Sequence, residues 1–481
     1  MSFIIESDVD LFHEKHDEIL EEIKRKALEI LEPTKDEQDK IASIVKQFAI
    51  DKKRKIYGGY GLNQLILLKN PKGGIYNELL TVPDIDMYSP DPINDIIKLS
   101  NILHEAGFHH IYARDAQHKE TYTLLVDSQV YCDFSYVPWN IYKNIPVEIT
   151  KEGLYIAHPH FMMIDYYRVL TTPLGSYQHK LEQRVERLHL LEHYYPLPKA
   201  TYYDNPKLNE ANKPCYDVIN KFIKNRPSVI VLGYYAFNVH RKFNNQSLIN
   251  VPYYEMISIN YREDALTLIN ELKKTSDNIT YEECWPFFQF IGYSVNIYNN
   301  GELICMMYDH YNKCLPIIHT SDGVNIGTTS LLIQSMLTDI IRFRVQDKNI
   351  EKKTYYAMIH LMLVMRRRWL EHHKKTYLND SIYREFKTEC IGKTMTAVME
   401  KQLRIDARKK MKKSIVWSYN PADGIRENDD ERRFSNSSGN VIIPCHLKKL
   451  EEVPCPDTPL NEEINSAEEY DGSPDIDIIS N

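Results

Sequence analysis

The segment VPDIDMYSPDPINDIIKLSNIL, residues 82–103, decides the fold because its pattern of a strand followed by a helix occurs twice in the chain. It aligns without gaps on VPYYEMISINYREDALTLINEL, residues 251–272, with eight of twenty-two positions identical. Composition alone gives roughly one or two identities, which favours a duplicated unit. Upstream, YGGYGLN (57–63) has a counterpart in LGYYAFN (232–238). The order strand, glycine turn, helix, strand and helix is therefore predicted twice.

The regions around the two units are predicted to be mainly helical. Periodicity indicates two N-terminal helices, the second opened by a capping box between Thr34 and Glu37. A further helical and basic region follows the second unit. We predict an α+β protein with an N-terminal helical region (1–52), a first unit (53–195), a linker (196–213), a second unit (214–350), a basic helical region (351–417) and a flexible acidic tail (418–481).

Composition indicates an intracellular protein without a membrane partner. At 481 residues the chain has room for two or three domains, each with its own core. Its apolar runs are shorter than the roughly eighteen residues that cross a bilayer, and the acidic start MSFIIESDVDLFHEKHDEI is unlike a signal peptide. The eight cysteines are scattered without a Cys-x-x-Cys pair, so we expect reduced thiols rather than a zinc site or a disulfide framework.

The charge is unevenly distributed along the chain. The net charge is −8, but residues 450–481 contain ten acidic residues and no Lys or Arg, which leaves the rest slightly basic. Two clusters concentrate the positive charge, at residues 366–375 and 404–413. The candidate RNA contacts within them are Arg366, Arg367 and Arg368 in the first and Arg408, Lys409 and Lys410 in the second. Such clusters indicate either a polyanionic partner or simply a solvated helix surface, with about equal weight.

Two aspartates lie two positions apart in the apolar strand pattern DIDMYS. Residues i and i+2 of a strand share a face, so Asp84 and Asp86 point the same way and repel each other unless a cation lies between them. Asp133, in VYCDFSYV, comes from a second predicted strand. Carboxylates from neighbouring strands suit two Mg²⁺ or Mn²⁺ ions, an arrangement that serves phosphoryl-type transfer.

A glycine turn precedes the aspartates. In KIYGGYGLNQLI, Gly58 and Gly59 lie between a predicted strand and a predicted helix, so backbone N–H groups at the helix start can approach a triphosphate. A Gly-Gly turn or an Asp-x-Asp pair is common by itself. The turn, the pair and a later lone aspartate, in this order, form a much more specific pattern.

This pattern resembles the signature of the DNA polymerase β-like nucleotidyltransferase superfamily. Within it, IYGGYGLNQLI, DIDMYS and VYCDFSYVP, followed by LYIAHPHFMMIDYYRVL, are similar to the catalytic poly(A) polymerase subunits of poxviruses and giant DNA viruses. The motifs cover roughly residues 55–190, and the duplication extends the similarity to about 350. The resemblance implies two tandem nucleotidyltransferase-like domains, each a mixed sheet flanked by helices, of which the first is catalytic.

The resemblance also implies roles for individual residues. Asp84, Asp86 and Asp133 are the implied catalytic metal ligands, and Gly58 and Gly59 are implied to lie against the phosphates of the nucleotide. Many family members have Ser at the position of Gly59, so here only backbone donors remain there. NPKGGIYNELLT (70–81) is predicted to be an inserted loop. The basic residues of the next helical stretch are implied triphosphate contacts, for which we favour Tyr177 and Lys180 over Arg168, Arg184 and Arg187.

The second unit lacks most of these groups. Tyr253 and Glu255 align with Asp84 and Asp86, an apolar segment near Met306 lies opposite Asp133, and Tyr234 corresponds to Gly59. Asp309 could be a displaced metal ligand, but a lone aspartate is more often a surface residue, and we favour that interpretation. We predict a degenerate, non-catalytic domain that either covers the cleft or grips RNA, or only packs against its twin.

The predicted activity is template-independent addition of AMP from ATP to the 3′ end of mRNA. A terminal nucleotidyltransferase that adds U or C, or a non-catalytic RNA-binding scaffold, remains an alternative. RNA is the expected partner of the two basic clusters. Poxvirus relatives work with a processivity subunit, and the sequence leaves open such a partner, a homodimer or a chain acting alone. The resemblance implies a viral protein of the host cytoplasm or viral factory, or one packaged in the virion.

Overall fold

The structure is a computed structural model that describes residues 5–31, 34–76, 82–175, 181–199, 205–284, 286–310, 312–345, 352–410 and 417–423. Its helices are α1 (Glu6–Leu31), α2 (Lys35–Asp51), α3 (Gly58–Lys69), α4 (Pro92–Glu105), α5 (Trp139–Tyr142), α6 (Pro159–Leu170), α7 (Leu181–Tyr194), α8 (Lys213–Lys224), α9 (Gly233–Phe243), α10 (Tyr261–Lys273), α11 (Thr329–Val345), α12 (Lys352–His372) and α13 (Ala397–Lys410). The predicted capping box of Thr34 and Glu37 opens α2.

The strands form two eight-stranded mixed sheets. Those of the first are β1 (Lys55–Tyr57), β2 (Ile85–Ser89), β3 (Ile111–Asp115), β4 (Thr121–Val126), β5 (Gln129–Tyr136), β6 (Val147–Ile149), β7 (Tyr155–Ala157) and, from the C-terminal region, β16 (Ser418–Tyr419). Those of the second are β8 (Val229–Val231), β9 (Tyr254–Ser258), β10 (Ile279–Cys284), β11 (Ser294–Asn299), β12 (Glu302–Asp309), β13 (Leu315–His319), β14 (Asn325–Gly327) and β15 (Cys390–Ile391). The α+β prediction is confirmed.

The two sheets have the same strand order. The first runs β16-β3-β4-β5-β2-β1-β7-β6, and the second runs β10-β11-β12-β9-β8-β14-β13-β15. The parallel pairs β2·β5 and β1·β7 recur as β9·β12 and β8·β14, and the neighbouring pairs are antiparallel in both sheets. Seven strands of each sheet therefore belong to a duplicated unit. The sequence repeat predicted two of them in each unit, β1 and β2 in the first and β8 and β9 in the second.

Identical residues of the repeat form the same contacts in both units. Ser89 and Ser258 each donate a hydrogen bond to an aspartate at the start of the following helix, Asp95 in the first unit and Asp264 in the second. Each serine hydroxyl also accepts a backbone N–H two residues further on. An arginine pairs with each aspartate, at 2.6 Å for Arg54 and 3.6 Å for Arg226. These shared residues build the strand-to-helix connection rather than a catalytic site.

Helices α6 and α11 pack against each other and join the two halves. Both are largely buried, with Phe161 and Ile164 on one side and Leu332 and Met336 on the other. At their junction the Thr171 hydroxyl donates a hydrogen bond to Gln334 Oε1 at 2.5 Å. The second unit therefore packs directly against the first. Within the described residues, no helix combines the length and apolarity required to span a membrane.

The C-terminal region adds one edge strand to each sheet. β15 pairs with β13 of the second sheet, whereas β16 pairs with β3 of the first. Ser418 and Tyr419 therefore lie in a sheet rather than in the predicted tail, because Trp417 and Tyr419 are buried beside the first core. The tail from residue 424 onward lies outside the described residues.

The expectation of reduced thiols throughout is wrong for one pair of cysteines. Cys314 and Cys390 form a disulfide with Cα atoms 5.3 Å apart. They are separated by 76 residues, so their spacing gave no signal. The pairing of β13 with β15, in which Pro316 lies opposite Cys390, brings the two together. Cys132, Cys215, Cys284 and Cys305 are buried thiols that take part in no disulfide of the described residues.

Candidate active site

Polar residues form a row across the middle of the first sheet. In the strand registers, Arg114 of β3 lies beside Thr123 of β4, which lies beside Asp133 of β5. Asp133 in turn lies beside Asp86 of β2, and Asp86 beside Tyr57 of β1. Because laterally paired residues point to the same face, the two carboxylates are direct neighbours. The predicted proximity of Asp86 and Asp133 is confirmed by this register.

Asp84 lies one residue before β2 begins. Its side chain is exposed, whereas Asp86 is partly buried in the sheet. The alternation of the chain keeps Asp84 on the side of Asp86 while Ile85 and Met87 point into the core, where both are buried. Asp84 therefore lies at the open rim of the cleft and Asp86 at its floor.

Gly58 forms the turn between β1 and α3, directly over Asp86. Its φ of +68° lies in the left-handed region that favours glycine. A β-carbon at this position would collide with Asp86 Oδ2 and would lie 2.8 Å from its Cγ. Residue 58 must therefore be glycine for the Asp86 carboxylate to occupy its place.

The carboxylates repel each other electrostatically. Burial, together with the charges of Asp84 and Asp133, raises the pKa of Asp86 well above its ordinary value. Burial raises the pKa of Asp133 to about 6, although a hydrogen bond from Thr123 opposes the shift. Asp133 Oδ1 is buried and has no hydrogen-bond partner among the described residues. These features fit a cation, since a cation would relieve the repulsion and satisfy this oxygen.

The donor chemistry fits a hard divalent ion, because carboxylate oxygens are the ligands that Mg²⁺ and Mn²⁺ prefer. The structure brings together the pair Asp86 and Asp133. Over the part of the chain that it describes, no three His, Cys, Asp or Glu side chains are gathered into a metal-ligating group. Asp84 therefore stays a predicted third ligand.

Cationic groups face the carboxylates from α7. The charges of Arg184 and Arg187 both act to lower the pKa of Asp86, against the stronger effect of burial. The two arginines are three residues apart and so share one face of the helix. Arg187 lies above the glycine turn, with its Nη1 3.1 Å from where a β-carbon of Gly59 would be. Arg184 lies over the ring of Tyr166 at 5.9 Å.

The first turn of α3 completes an anion-binding geometry. The helix begins at Gly58, and its N-cap residue Tyr57 provides no side-chain hydrogen bond. The N–H groups of a first turn have no partner within their own helix and attract anions. With Arg184 and Arg187 opposite, this end of the cleft is suited to phosphate groups beside the carboxylates.

The remaining predicted nucleotide contacts have different outcomes. Tyr177 and Lys180 lie outside the described residues. Arg168 forms an ion pair with Asp165 at 2.9 Å within α6. The preference for Tyr177 and Lys180 therefore stays a prediction, while Arg184 and Arg187, which were ranked lower, face Asp86. Their i, i+3 spacing was the signal that would have raised them.

Tyr76 was missed by the sequence analysis. It belongs to the predicted inserted loop, and its hydroxyl accepts a hydrogen bond from Arg187 Nη2 at 3.1 Å. Burial raises the pKa of Tyr76, and the charges of Asp84 and Asp86 add to that shift. Tyr76 is the only aromatic residue in NPKGGIYNELLT, which is a weak signal without the structure.

The two basic clusters lie on different helices. Arg366 stacks on Tyr377 at 5.6 Å, and Arg367 and Arg368 are exposed at the end of α12. The second cluster lies at the end of α13, whose Arg404 donates a hydrogen bond to the Gln117 carbonyl at 3.3 Å. That contact places α13 against the turn between β3 and β4. Of the members of this cluster, Lys409 and Lys410 are exposed and Arg408 is partly buried.

The matching point of the second sheet has a different composition. Glu255 of β9 lies beside Met306 of β12, as Asp86 lies beside Asp133. Gly233, with φ +55°, stands over Glu255 as Gly58 stands over Asp86, so Tyr234 corresponds to Gly59. Tyr253 occupies the place of Asp84. The predicted residue correspondences therefore hold in three dimensions.

The space beside Glu255 is filled by protein groups. The Tyr355 hydroxyl donates a hydrogen bond to Glu255 Oε1 at 2.8 Å. Arg342 pairs with Asp339 at 2.8 Å and donates to the Tyr308 hydroxyl at 2.8 Å. Burial, with the nearby Asp339, raises the pKa of Glu255 well above its ordinary value. Asp309 pairs instead with His310 at the end of β12.

Comparisons with known proteins agree over nearly the whole chain. The family model "Poly(A) polymerase catalytic subunit" matches residues 43–176, and the model "APMV, Putative poly(A) polymerase, catalytic subunit, C-terminal" matches residues 189–450. A protein of Acanthamoeba polyphaga mimivirus named "Putative poly(A) polymerase catalytic subunit" is 31% identical over 92% of this chain and 83% of its own length.

A shorter match and a solved structure point the same way. A protein of the same name from African swine fever virus is 32% identical over 33% of this chain and 34% of its own length. The crystal structure of the Megavirus polyadenylate synthase superposes with a TM-score of 0.80 at 30% identity, over 92% of this chain and 94% of that one. The chain belongs to the family of poly(A) polymerase catalytic subunits of giant DNA viruses.

Proposed function

We propose that the chain elongates RNA by transferring AMP from ATP to a 3′ hydroxyl at the cleft of the first sheet. The enzyme is a poly(A) polymerase by family, and this activity uses ATP and a divalent metal. The observation that carries the assignment of the site is the register of Asp86 beside Asp133, under Gly58 and facing Arg184 and Arg187. Among the residues that the structure describes, this combination occurs in the first sheet and is absent from the second.

Each residue of the cleft has a proposed role. Asp84, Asp86 and Asp133 would hold two Mg²⁺ or Mn²⁺ ions, which when bound lower the energy of the negatively charged transition state. Gly58 and Gly59 let the backbone approach the triphosphate, while Arg184 and Arg187 offset its charge. Asp133, on β5, faces the RNA end in this proposal.

The reaction is a nucleotidyl transfer. The oxygen of the RNA 3′ hydroxyl forms a bond to the α-phosphorus of ATP, and the bond from that phosphorus to the β-phosphate oxygen breaks. Pyrophosphate leaves with the electron pair of the broken bond, and the hydroxyl proton passes to solvent water. The protein contributes mainly by orienting the two reactants and by placing charge, which are the main sources of catalysis in such transfers.

The RNA path is proposed to run along α13. Arg404 holds this helix beside the β3–β4 turn, and β4 is the strand that pairs with the Asp133 strand β5. Arg408, Lys409 and Lys410 would then contact RNA phosphates, whereas Arg366, Arg367 and Arg368 on α12 form a second, separate contact. Binding through phosphates weakens steeply with salt. RNA affinity that does not change between low and high salt would contradict this path.

The remaining assignments belong to the same proposal. We assign catalysis to residues 53–195 and a non-catalytic, cleft-bordering role to residues 214–350. We place the reaction in the host cytoplasm or viral factory, with packaging in the virion as an alternative. A homodimer and a separate processivity subunit are competing arrangements, which sedimentation of the purified chain with and without RNA distinguishes.

An extension assay with purified protein tests the activity. A short oligo(A) RNA is incubated with Mg²⁺ or Mn²⁺ and with each nucleotide in turn. Extension with ATP that is lost in Asp133→Ala supports the proposal, and preferential extension with UTP or CTP supports the alternative terminal nucleotidyltransferase. If the protein binds RNA but extends it with no nucleotide, in the presence of either metal, catalysis is refuted. That result would support the alternative of a non-catalytic RNA-binding scaffold.

A further inference from the structure

The Tyr76 hydroxyl occupies the space that a side chain at residue 59 would fill. A β-carbon on Gly59 would collide with this hydroxyl, and it would also lie 3.1 and 3.2 Å from the two terminal nitrogens of Arg187. Gly59 itself is buried at the start of α3. Because residue 59 is glycine, the Tyr76 hydroxyl can occupy the volume that a side chain at this position would fill.

The Tyr76 hydroxyl can act as a hydrogen-bond donor at this position. The Tyr76 oxygen accepts a hydrogen bond from Arg187 Nη2 at 3.1 Å. A phenol that accepts through its oxygen still has one hydrogen to donate. The arginine thus fixes the position of the tyrosine oxygen while leaving its hydrogen to point elsewhere.

The groups around the hydroxyl are also donors. The first turn of α3 presents backbone N–H groups without a side-chain cap, and Arg187 presents its guanidinium. The aspartates Asp84 and Asp86 are close enough to act electrostatically on Tyr76. Three kinds of donor therefore converge beside the carboxylates, which is the arrangement a polyphosphate requires.

We propose that Tyr76 is a triphosphate-binding residue whose hydroxyl donates a hydrogen bond to a β- or γ-phosphate oxygen of ATP. It supplies from the loop the side-chain hydroxyl that Gly59 cannot supply from the turn. The inference deepens the proposed function, because it assumes that the cleft of the first sheet binds ATP. It adds that Gly59 and Tyr76 act as a matched pair.

Equilibrium binding without RNA tests the role, because no turnover occurs. Tyr76→Phe removes only the hydroxyl, and we expect about tenfold weaker binding of ATP with unchanged binding of AMP, since a hydrogen bond to a charged group is lost. Tyr194→Phe is the matched control. Its hydroxyl accepts from Asn70 at the base of the same loop, and we expect its ATP affinity to equal that of the wild type.

Gly59→Ser gives a second, reciprocal test. Alone, it should weaken ATP binding because its β-carbon displaces Tyr76 and crowds Arg187. Combined with Tyr76→Phe, it should recover affinity to within about threefold of the wild type, because the serine brings a hydroxyl to the space that the phenol left. Melting curves check that each variant is folded.

Two results would overturn the inference. One is Tyr76→Phe binding ATP as tightly as the wild type, and the other is a double variant no better than the weaker single variant. Either would leave Tyr76 as a packing residue of the loop. A wild-type protein that binds ATP but extends no RNA refutes the proposed function instead, so the two failures are distinguishable.

Discussion

At the centre of the first sheet Asp86 lies beside Asp133, whereas at the matching point of the second sheet Glu255 lies beside Met306. Both points lie under a glycine with positive φ at the start of a helix. The backbone is therefore the same and only the side chains differ. Each point keeps one carboxylate oxygen without a hydrogen-bond partner among the described residues, on Asp133 in the first sheet and on Glu255 in the second, and the other oxygen of Glu255 accepts a hydrogen bond from Tyr355.

The difference shows that one backbone arrangement can carry either a pair of neighbouring carboxylates or a site occupied by other protein side chains. An open cleft needs charges whose repulsion is relieved only when a ligand arrives. In the second sheet Arg342, with 2% of its side chain exposed, supplies a permanent cation, and Asp339 supplies its partner. Side chains of the protein itself occupy this site, where Arg342 pairs with Asp339 and Tyr355 donates a hydrogen bond to Glu255.

The largest expected difference between the two sheets is in the rate of RNA extension after one carboxylate in each is replaced by its amide. Asp86→Asn should lower the rate of RNA extension by about a thousandfold or more, because several kcal/mol of transition-state stabilisation are lost. Glu255→Gln should leave the rate within about twofold. Single-turnover extension rates measure both, and equal losses would place catalysis in both sheets.

Removal of the buried cation affects stability rather than rate. Arg342→Met leaves Asp339 and Glu255 uncompensated, so we expect a loss of about 3–5 kcal/mol in the free energy of unfolding. Arg168→Met removes the equivalent i, i+3 pair with Asp165 in the first unit, where the arginine is 13% exposed. Its loss should be smaller. Denaturant unfolding measures both losses. An Arg342→Met protein as stable as the wild type would show that this cation contributes nothing to the free energy of unfolding.

The two glycines that stand over the acidic residues provide a matched pair. Gly58→Ala should reduce extension by about a hundredfold, because the methyl group forces Asp86 out of position. Gly233→Ala meets the Glu255 carboxylate at 2.7 Å and should cost stability while leaving the rate of the folded protein unchanged. Rates per folded molecule, corrected by melting curves, separate the effects. A similar rate loss in Gly233→Ala would contradict the assignment.

A buried histidine in the second unit gives the smallest effect, and it depends on pH. His240 of α9 corresponds to Leu65 of α3, and burial lowers its pKa from 6.5 to about 4. The folded protein then binds fewer protons than the unfolded chain, so stability is lost as pH falls through this range. His240→Leu should stabilise the protein by about 2 kcal/mol at pH 5 and change it little at pH 8. Equal effects at both pH values would point to packing alone.

The sequence was sufficient for the parts of the fold that depend on local pattern. The repeat at residues 82–103 and 251–272 predicted the duplicated unit, and the family and its activity are confirmed by the comparisons. The proximity of Asp86 and Asp133 followed from strand alternation and from the resemblance. These inferences succeed because helix and strand periodicity is written in neighbouring residues.

Contacts between distant segments were not predictable in this way. Tyr76 and Arg187 are 111 residues apart, and Cys314 and Cys390 are 76 apart. Arg342 likewise reaches Tyr308 from another element. Such pairs are fixed by how loops and sheet edges come together in three dimensions, and a single sequence without coupled variation contains no local trace of them.

The last strand of the first sheet has a consequence for the order of synthesis. β16 comes from Ser418 and Tyr419, yet it pairs with β3, which leaves the ribosome some three hundred residues earlier. The first sheet therefore has an open edge at β3 throughout translation of the second unit and α12. Because open edges invite wrong pairings, the nascent chain is exposed to misassembly for most of its synthesis. The first sheet, although most of its strands lie in the N-terminal half, is thus completed only late in the synthesis of the chain.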